Sequence, residues 1–280
     1  MKQPLEPQGS TVEGSPRTGT YSGSQAPQGS DRRARIMRRM YLCRSLGSFA
    51  VADGLPVLVQ AAKQEVDPVE VQVRFSALEA ISTLADNCGA ETIRNNSEAM
   101  QAILEASRVA DDTTPPPPTK DGEPTLYRPH AELRAVAAYA LGVIGDEEAT
   151  ERLEQMLHDT YPNARFNAAT GLARRGNAKC ERVLREMLDP ANPLAVKDEI
   201  NPNDQARKRI TVLLNGISGT LHLADTNPAA DLTALKKSIE KLASGPLDEI
   251  AVDRNKVKNA ATEALRLLGG KMPSERRQAE

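Results

Sequence analysis

Aromatic residues are scarce in this chain, and histidine is rarer still. The 280 residues include five Tyr, three Phe, no Trp and three His, which are His130, His158 and His222. None of these histidines has a second His or a Cys at the short spacing that metal sites use. We therefore expect no metal site and no cofactor.

Cysteines and long apolar runs are also few. Cys43, Cys88 and Cys180 form neither a CxxC pair nor an even set for disulfides, which favours a reducing compartment. No stretch approaches the ~18 uncharged apolar residues of a membrane-spanning helix, and the N-terminus has no apolar signal-peptide core. These absences predict a cytoplasmic protein without a transmembrane segment.

An excess of charge of one sign is missing as well. Thirty-six Lys and Arg oppose 38 Asp and Glu, a balance that argues against a dedicated nucleic-acid or membrane-surface protein. The sequence also contains no phosphate-binding GxxxxGK[ST], no GxGxxG and no GxSxG motif. No motif of this kind indicates an enzyme class.

Proline and glycine show where helices are interrupted. Residues 1–30 are rich in Gly, Ser, Pro and Gln, and we expect a disordered tail there. Two insertions are expected, one at 111–129 around Pro115–Pro118 and one at 189–203, and 271–280 is interpreted as a charged tail. The proline run matches ligands of proline-recognising domains, but a spacer is the favoured interpretation.

Between these segments, apolar residues recur at helical spacing. Val73, Ala77, Leu78, Ile81 and Leu84 follow the i, i+3, i+4, i+7 pattern of an amphipathic helix. No strand-like alternation of any length occurs, and 38 alanines favour closely packed helices. The sequence predicts an all-α fold over residues 31–270.

One helix is repeated along the chain, each time with a basic residue near its start. The recurring basic positions are Arg74, Arg134, Arg165, Arg207 and Lys258. Arg134 and Arg165 lie 31 residues apart, and shorter helices are predicted between the copies. Because a single helical hairpin buries only one face, the copies must stack into a superhelix.

The third copy resembles the short bacterial HEAT repeats named after phycobilisome lyase subunits. The resemblance rests on Asp159-Thr-Tyr-Pro-Asn-Ala-Arg165 with Gly171-Leu172, and on Arg134-Ala-Val-Ala-Ala-Tyr-Ala-Leu-Gly-Val-Ile-Gly145. It implies an armadillo-like α-solenoid, a right-handed superhelix of about six stacked helical hairpins.

The resemblance also implies a structural role for the recurring basic residues. In such repeats the basic residue pairs with an acidic residue just before its helix. The expected pairs are Asp159 with Arg165, Asp67 with Arg74, and Asp253 with Lys258. Arg134 has no obvious partner of this kind.

Two charged regions are alternative binding sites. Residues 105–159 hold twelve acids and five bases, which suits a basic partner, although a solvated helix face is the favoured interpretation. Six arginines form a candidate basic patch near the N-terminus: Arg32, Arg33, Arg35, Arg38, Arg39 and Arg44. The patch fits anionic lipid or nucleic acid, but a solvated capping helix is favoured.

Enzymes built from related repeats differ from this chain in their functional residues. Deoxyhypusine hydroxylase holds iron with His-Glu pairs, and the nearest approaches here are His130-Ala-Glu132 and His158-Asp159. HEAT-like alkylpurine DNA glycosylases cradle a damaged base with aromatic residues, which this chain largely lacks. We therefore expect that the chain is not an enzyme.

The sequence favours a non-enzymatic scaffold for a protein partner. We expect the partner to bind the concave surface of the solenoid, lined by the second helix of each repeat. One alternative is a maturation or lyase-like subunit that acts on a client protein. The other is nucleic-acid binding through the arginine run, and we expect a monomer outside the complex.

Overall fold

All regular structure is helical in the residues that the computed structural model describes, which are 28–63, 70–110, 128–248, 250 and 253–270. The predicted all-α fold is confirmed. None of the described helices has both the length and the apolar character that crossing a bilayer requires. The tail up to residue 27, the Pro115–Pro118 segment and the charged tail 271–280 lie outside the described residues.

The helices alternate between two layers. In chain order they are α1 (Gln28–Gly47), α2 (Leu55–Lys63), α3 (Val71–Cys88), α4 (Ala90–Arg94), α5 (Ser97–Ser107), α6 (Pro129–Ile144), α7 (Glu147–Met156), α8 (Pro162–Arg174), α9 (Glu181–Met187), α10 (Pro202–Thr226), α11 (Thr233–Ser244) and α12 (Arg254–Gly270). The long helices α1, α3, α6, α8, α10 and α12 pack side by side, and the shorter α2, α5, α7, α9 and α11 cover them. The result is an α-solenoid, and its first helix begins inside the range 1–30 that we expected to be a tail.

Side-chain caps and prolines fix where several helices begin. Asn96 caps α5 and Asp146 caps α7, each by accepting a hydrogen bond from a first-turn N–H, that of Ala99 (2.9 Å) or Ala149 (2.7 Å). The long helices α6, α8 and α10 each start at a proline, where the missing N–H would have had no helical partner. The prolines therefore punctuate the solenoid as the sequence indicated.

Small residues allow the long helices to approach one another closely. Ala77, Ala137 and Ala168, each three positions after a recurring arginine, are fully buried. Gly142 of α6 lies against Gly171 of α8, and a Cβ on Gly171 would sit 2.7 Å from the Cα of Gly142. The alanine-rich composition thus reflects the packing within one layer.

The insertion expected at 189–203 is an ordered connection. It contains the short 3-10 helix Pro193–Val196, and Asn201 caps the start of α10. Asp198 and Glu199 in this connection lie next to Lys208 of α10. The connection thereby brings acidic side chains to the layer of long helices.

Candidate functional site

Two cavities lie on the layer of long helices. The first, which we call the acidic cavity, has a volume of about 450 Å³ and lies among the N-terminal halves of α3, α6, α8 and α10. The second, the arginine cavity, has a volume of about 900 Å³ and lies near the C-terminal ends of the same four helices. We expected the second, shorter helices to line the binding surface. A third cavity of about 430 Å³ does lie on two of them, α2 and α5, but its described lining includes only two charged residues, Lys63 and Glu98.

Carboxylates outnumber cations in the acidic cavity. Its acidic lining residues are Glu79, Glu132, Asp198 and Glu199, and Lys208 is the cation among the described lining residues. Apolar side chains form much of the remaining wall, including Phe75, Val136 and Phe166. This combination suits a ligand with an aliphatic stem and a positively charged end.

Asp198 is the centre of a hydrogen-bond network in this cavity. It accepts hydrogen bonds from the Tyr161 hydroxyl (2.8 Å), the Asn163 amide (3.1 Å) and the Lys208 ammonium. Burial acts to raise the pKa of Asp198, but the hydrogen bonds from Lys208 and Tyr161 outweigh it, and the pKa lies below its usual value. Burial, together with the bond to Asp198, raises the pKa of Tyr161. Asp198 therefore stays ionised, and Tyr161 stays a hydrogen-bond donor.

Glu132 experiences the opposite balance of effects. Burial first, and then the negative charge of Asp198 and Glu199, raises the pKa of Glu132 to about 7, although Lys208 acts in the other direction. A carboxyl group with a pKa near neutrality can both take up and release a proton at cellular pH, as a general acid or base must. A second cation in the cavity would favour the ionised form of Glu132.

The arginine cavity has the reverse charge. Its charged lining residues are Arg94, Arg174 and Arg175, with Asp86 and Asp146. Arg94 donates two hydrogen bonds to the Ile144 carbonyl (2.9 and 3.2 Å), and Arg175 donates to the carbonyl of Gly142 (3.0 Å). These bonds fix both guanidinium groups at the C-terminal end of α6, where the helix dipole favours cations.

The cations of this cavity repel one another. Burial first, and then the charges of Arg94 and Arg174, lowers the pKa of Arg175, while Asp146 acts to raise it. Arg174 itself is exposed. An anion entering the cavity would relieve this repulsion.

The recurring arginines of the first three copies have a structural role. Each donates to a backbone carbonyl at or just after the end of the preceding short helix. The pairs are Arg74 with Ala62 (2.7 Å), Arg134 with Val109 (3.1 Å) and Arg165 with Asp159 (2.7 Å). None of these three arginines lines either cavity.

The expected pairing of the Asp159 carboxylate with Arg165 is wrong. The Asp159 carboxylate instead binds Arg134 of the preceding repeat, with Nε–Oδ2 and Nη2–Oδ1 distances of 2.8 and 3.0 Å. Arg165 pairs with Glu186. The reason is the turn before α8, in which Asp159 also accepts a hydrogen bond from the Tyr161 N–H (2.8 Å) and so faces α6.

Arg207 does not have the contacts of the other recurring arginines. It is exposed on α10, with a weak ion pair to Asp204 at 3.6 Å. Arg209 instead donates to the carbonyls of Pro190 and Asn192. The predicted register is therefore wrong in this copy, because the ordered connection presents its carbonyls to the helix one half-turn further along.

The last copy of the repeat has its basic residue, Lys258, on α12. Lys258 is half-buried on α12, and its expected partner Asp253 is exposed. Asp253 has a positive φ of 53° just before this helix begins. The expected partner of Arg74, Asp67, lies outside the described residues.

The arginine run lies on α1, the first long helix. Arg39 pairs with Glu70 at 2.8 Å, and Tyr41 and Leu42 are largely exposed on the same helix. Arg32 and Arg39 are half-buried, whereas the other four arginines are exposed: Arg33, Arg35, Arg38 and Arg44. The exposed part of the run lines neither cavity.

Among the described residues, we find neither a metal-binding group nor an activated cysteine at these cavities. In the described part of the chain, no three His, Cys, Asp or Glu side chains lie together in a way that could hold a metal ion. The three cysteines are free thiols. Burial raises the pKa of Cys43, and it raises the pKa of Cys180 to about 12, so neither is activated as a nucleophile.

None of the acidic-cavity residues was predicted as a site residue. Glu132 was noted only as part of a departure from a His-Glu pair, and Asp198 and Glu199 lie in a segment interpreted as an insertion. Helical periodicity reports burial and not which polar side chains converge. One sequence feature could have indicated the site: Asp198 and Glu199 are two acids in a proline-rich connection, directly before a helix that carries basic residues in its first two turns.

Comparison with known proteins identifies the repeat type. HEAT repeats are detected at residues 124–200, the stretch that supplies Glu132, Tyr161 and Asp198 to the acidic cavity. The chain is also similar to a deoxyhypusine hydroxylase from Danio rerio, with 33% identity over 126 residues, which are 42% of this chain and 40% of the relative. The chain thus matches less than half the length of this curated relative.

This similarity overturns the expectation that the chain is not an enzyme, because the related protein is one. The residues present nevertheless do not fit iron held by His-Glu pairs. The sequence contains no His-Glu dipeptide, and the described residues include no suitable group of three ligands. Among the described residues, Glu132 is a cavity group whose pKa, at about 7, lies near neutrality.

Proposed function

We propose that this chain takes part in the covalent maturation of a client protein, which it binds along its layer of long helices with a basic side chain in the acidic cavity. The observation that carries the proposal is the cavity itself, with four carboxylates, one lysine and apolar walls. A Lys side chain matches this lining, because its methylene stem is apolar and its end is cationic.

The comparison supports an action on an amine-bearing residue. The Danio rerio relative is named for the hydroxylation of deoxyhypusine, which is an amino acid with an amine side chain. The matched HEAT segment carries much of the acidic cavity. A shared preference for a cationic side chain requires no shared iron site.

In this proposal the cavity residues have separate roles. Asp198, held ionised by Lys208 and Tyr161, attracts the incoming ammonium group. Glu132 acts as the general base: as the nitrogen bonds to an electrophilic group supplied by a co-reactant, Glu132 takes up the proton that the nitrogen loses and becomes a carboxylic acid. A neutral amine is nucleophilic, which is the state that modification of its nitrogen needs.

The test combines capture of the client with measurement of its modification. A photo-crosslinking residue at Thr170, which lines the acidic cavity, should capture the client in cells, and mass spectrometry should locate the cross-linked Lys. The intact mass of that client is then compared in cells that carry wild-type chain, Glu132→Gln or no chain. We expect the modified form with the wild type alone.

A matched control separates chemistry from charge. Glu148→Gln removes an exposed glutamate of α7 that lines neither cavity, and it should leave the client fully modified. The proposal fails if the client is modified to the same extent with Glu132→Gln and Asp198→Asn as with the wild type, while each folded variant is present at wild-type level.

A second candidate function rests on the exposed arginines of α1. Four of them share this helix with Tyr41, whose side chain is 61% exposed, and an aromatic among cations suits single-stranded nucleic acid. DNA affinity should then fall steeply with salt, and replacement of Arg33, Arg35, Arg38 and Arg44 by Gln should flatten that dependence. Binding that does not respond to these replacements excludes this role.

Three further assignments, of location, oligomeric state and repeat type, are part of the same proposal. We propose a cytoplasmic protein that is monomeric outside its complex, with repeats of the phycobilisome-lyase-like HEAT type. The three free cysteines support the cytoplasmic location. Size-exclusion chromatography with light scattering tests whether the protein is a monomer.

A further inference from the structure

We propose that the arginine cavity binds a side-chain carboxylate of the same client, so that the solenoid recognises an extended segment with a basic and an acidic residue at a fixed spacing. This inference rests on the proposed function, because the basic residue is the one that enters the acidic cavity. It assigns the second cavity a role in choosing the client and its direction of binding.

The two cavities share the same four helices, which sets their separation. On α6, Glu132 lines the acidic cavity and Val143 lines the arginine cavity. These residues are separated by about three turns, or about 16 Å at 1.5 Å per residue. An extended peptide rises about 3.3 Å per residue, so the basic and acidic residues should be about five positions apart.

The guanidinium groups of the arginine cavity are positioned before any ligand arrives. Arg94 and Arg175 are anchored on carbonyls at the end of α6 and keep further N–H groups for other acceptors. A Cβ at Gly145 would collide with the Arg175 guanidinium, so this glycine makes room for the arginine. Preorganised donors lose little entropy on binding, which favours recognition of a planar anion.

The net charge of the cavity favours a carboxylate over a phosphate polymer. Three arginines are opposed by Asp86 and Asp146, which leaves an excess of one positive charge among these five residues. One carboxylate balances this excess, whereas a chain of phosphates would meet the two aspartates. Arg174 is exposed, whereas backbone carbonyls hold Arg94 and Arg175, so Arg174 is the arginine that can move onto a ligand.

The orientation of the bound segment follows from this arrangement. The basic residue lies at the N-terminal ends of the long helices and the acidic residue at their C-terminal ends. Tyr139, which lines the arginine cavity, precedes Gly142 and Val143 on α6 and so lies on the side nearer to Glu132; it is 38% exposed and provides a surface for the residues in between. Each charged end also faces the opposite charge, so the reversed peptide is disfavoured by both cavities.

Fluorescence anisotropy with labelled peptides and the full chain tests this inference. The probe is Lys-Gly-Ser-Gly-Ser-Asp with blocked ends, compared with the same peptide ending in Asn and with Lys-Asp-Gly-Ser-Gly-Ser. We expect the probe to bind at least about fivefold more tightly than either control. Arg174→Gln should abolish this preference while leaving the affinity of the Asn peptide unchanged.

The variants distinguish failure of the inference from failure of the proposed function. If all peptides bind equally, and Glu132→Gln weakens each of them, then only the arginine-cavity assignment is overturned. If the probe binds no better than a peptide with norleucine in place of Lys, the proposed function is overturned as well. Competition by millimolar inorganic phosphate without an Asp-over-Asn preference would identify a small-anion site and contradict the inference.

Discussion

Arg134 and Asp159 form a bidentate ion pair that joins α6 to the turn before α8. Their side chains are only 7% and 8% exposed, and a third guanidinium bond goes to the Val109 carbonyl. The pair therefore connects α6 with the segments that follow α5 and α7 at one buried point.

Replacing Asp159 by Ala should be strongly destabilising. The change leaves the Arg134 guanidinium buried without its carboxylate, which typically costs about 3–5 kcal/mol. Urea unfolding followed by circular dichroism measures the loss. Glu148→Gln breaks an ion pair with Arg108 whose partners are more than half exposed, so it should cost less than about 1 kcal/mol. Equal losses for the two variants would contradict the structural role of the buried pair.

Gly171→Ala tests the close approach of α6 and α8. The new Cβ would lie 2.7 Å from the Cα of Gly142, which is backbone and cannot rotate away, so the helices must separate. Overpacking of this kind costs about 1–3 kcal/mol. Gly269→Ala on α12 is the matched control because its Cβ would meet nothing within 4 Å, and it should be neutral or slightly stabilising. A Gly171→Ala protein with wild-type stability would show that this contact is not tight.

The fold was predictable because it depends on periodic burial. Val73, Ala77 and Ile81 are spaced as one helix face, and all three are buried. Repetition of that face at a constant interval leaves stacking as the way to cover it. The HEAT assignment follows from the same pattern, so sequence reasoning and repeat detection agree.

The candidate site was not predictable in the same way. Glu132 and Asp198 lie 66 positions apart in sequence and meet because a non-repetitive connection folds back on α8 and α10. That connection breaks the repeat pattern and was therefore interpreted as an insertion. The pairing of Asp159 with Arg134 was not predicted for a similar reason, because the expected pairs lie within one repeat and this pair joins two repeats.

The shifted register in the fourth copy gives a direct test at Arg209. Arg209→Ala removes donors to the Asn192 carbonyl (3.1 Å) and to that of Pro190, and should cost about 1–3 kcal/mol. Arg207→Ala alters an exposed side chain two positions earlier and should change stability by less than about 0.5 kcal/mol. Thermal and urea unfolding of both variants supply the comparison. The reverse ranking would restore Arg207 as the structural residue.

Glu132 should make the stability of the protein depend on pH near neutrality. The folded pKa is about 7, above the usual glutamate value of about 4.3, so the folded state holds this proton more tightly than the unfolded state. The contribution of Glu132 is therefore most favourable below about pH 4, and it is lost as pH rises towards and through about 7.

Glu132→Gln removes this titration and provides the measurement. The Tm of the variant minus that of the wild type should increase from about pH 5 to about pH 8 and then level off, by up to a few degrees for a chain of this size. A flat difference for Glu132→Gln would mean that the ionisation of Glu132 in the folded state is not shifted towards neutrality, and it would remove the basis for its role as the proton acceptor.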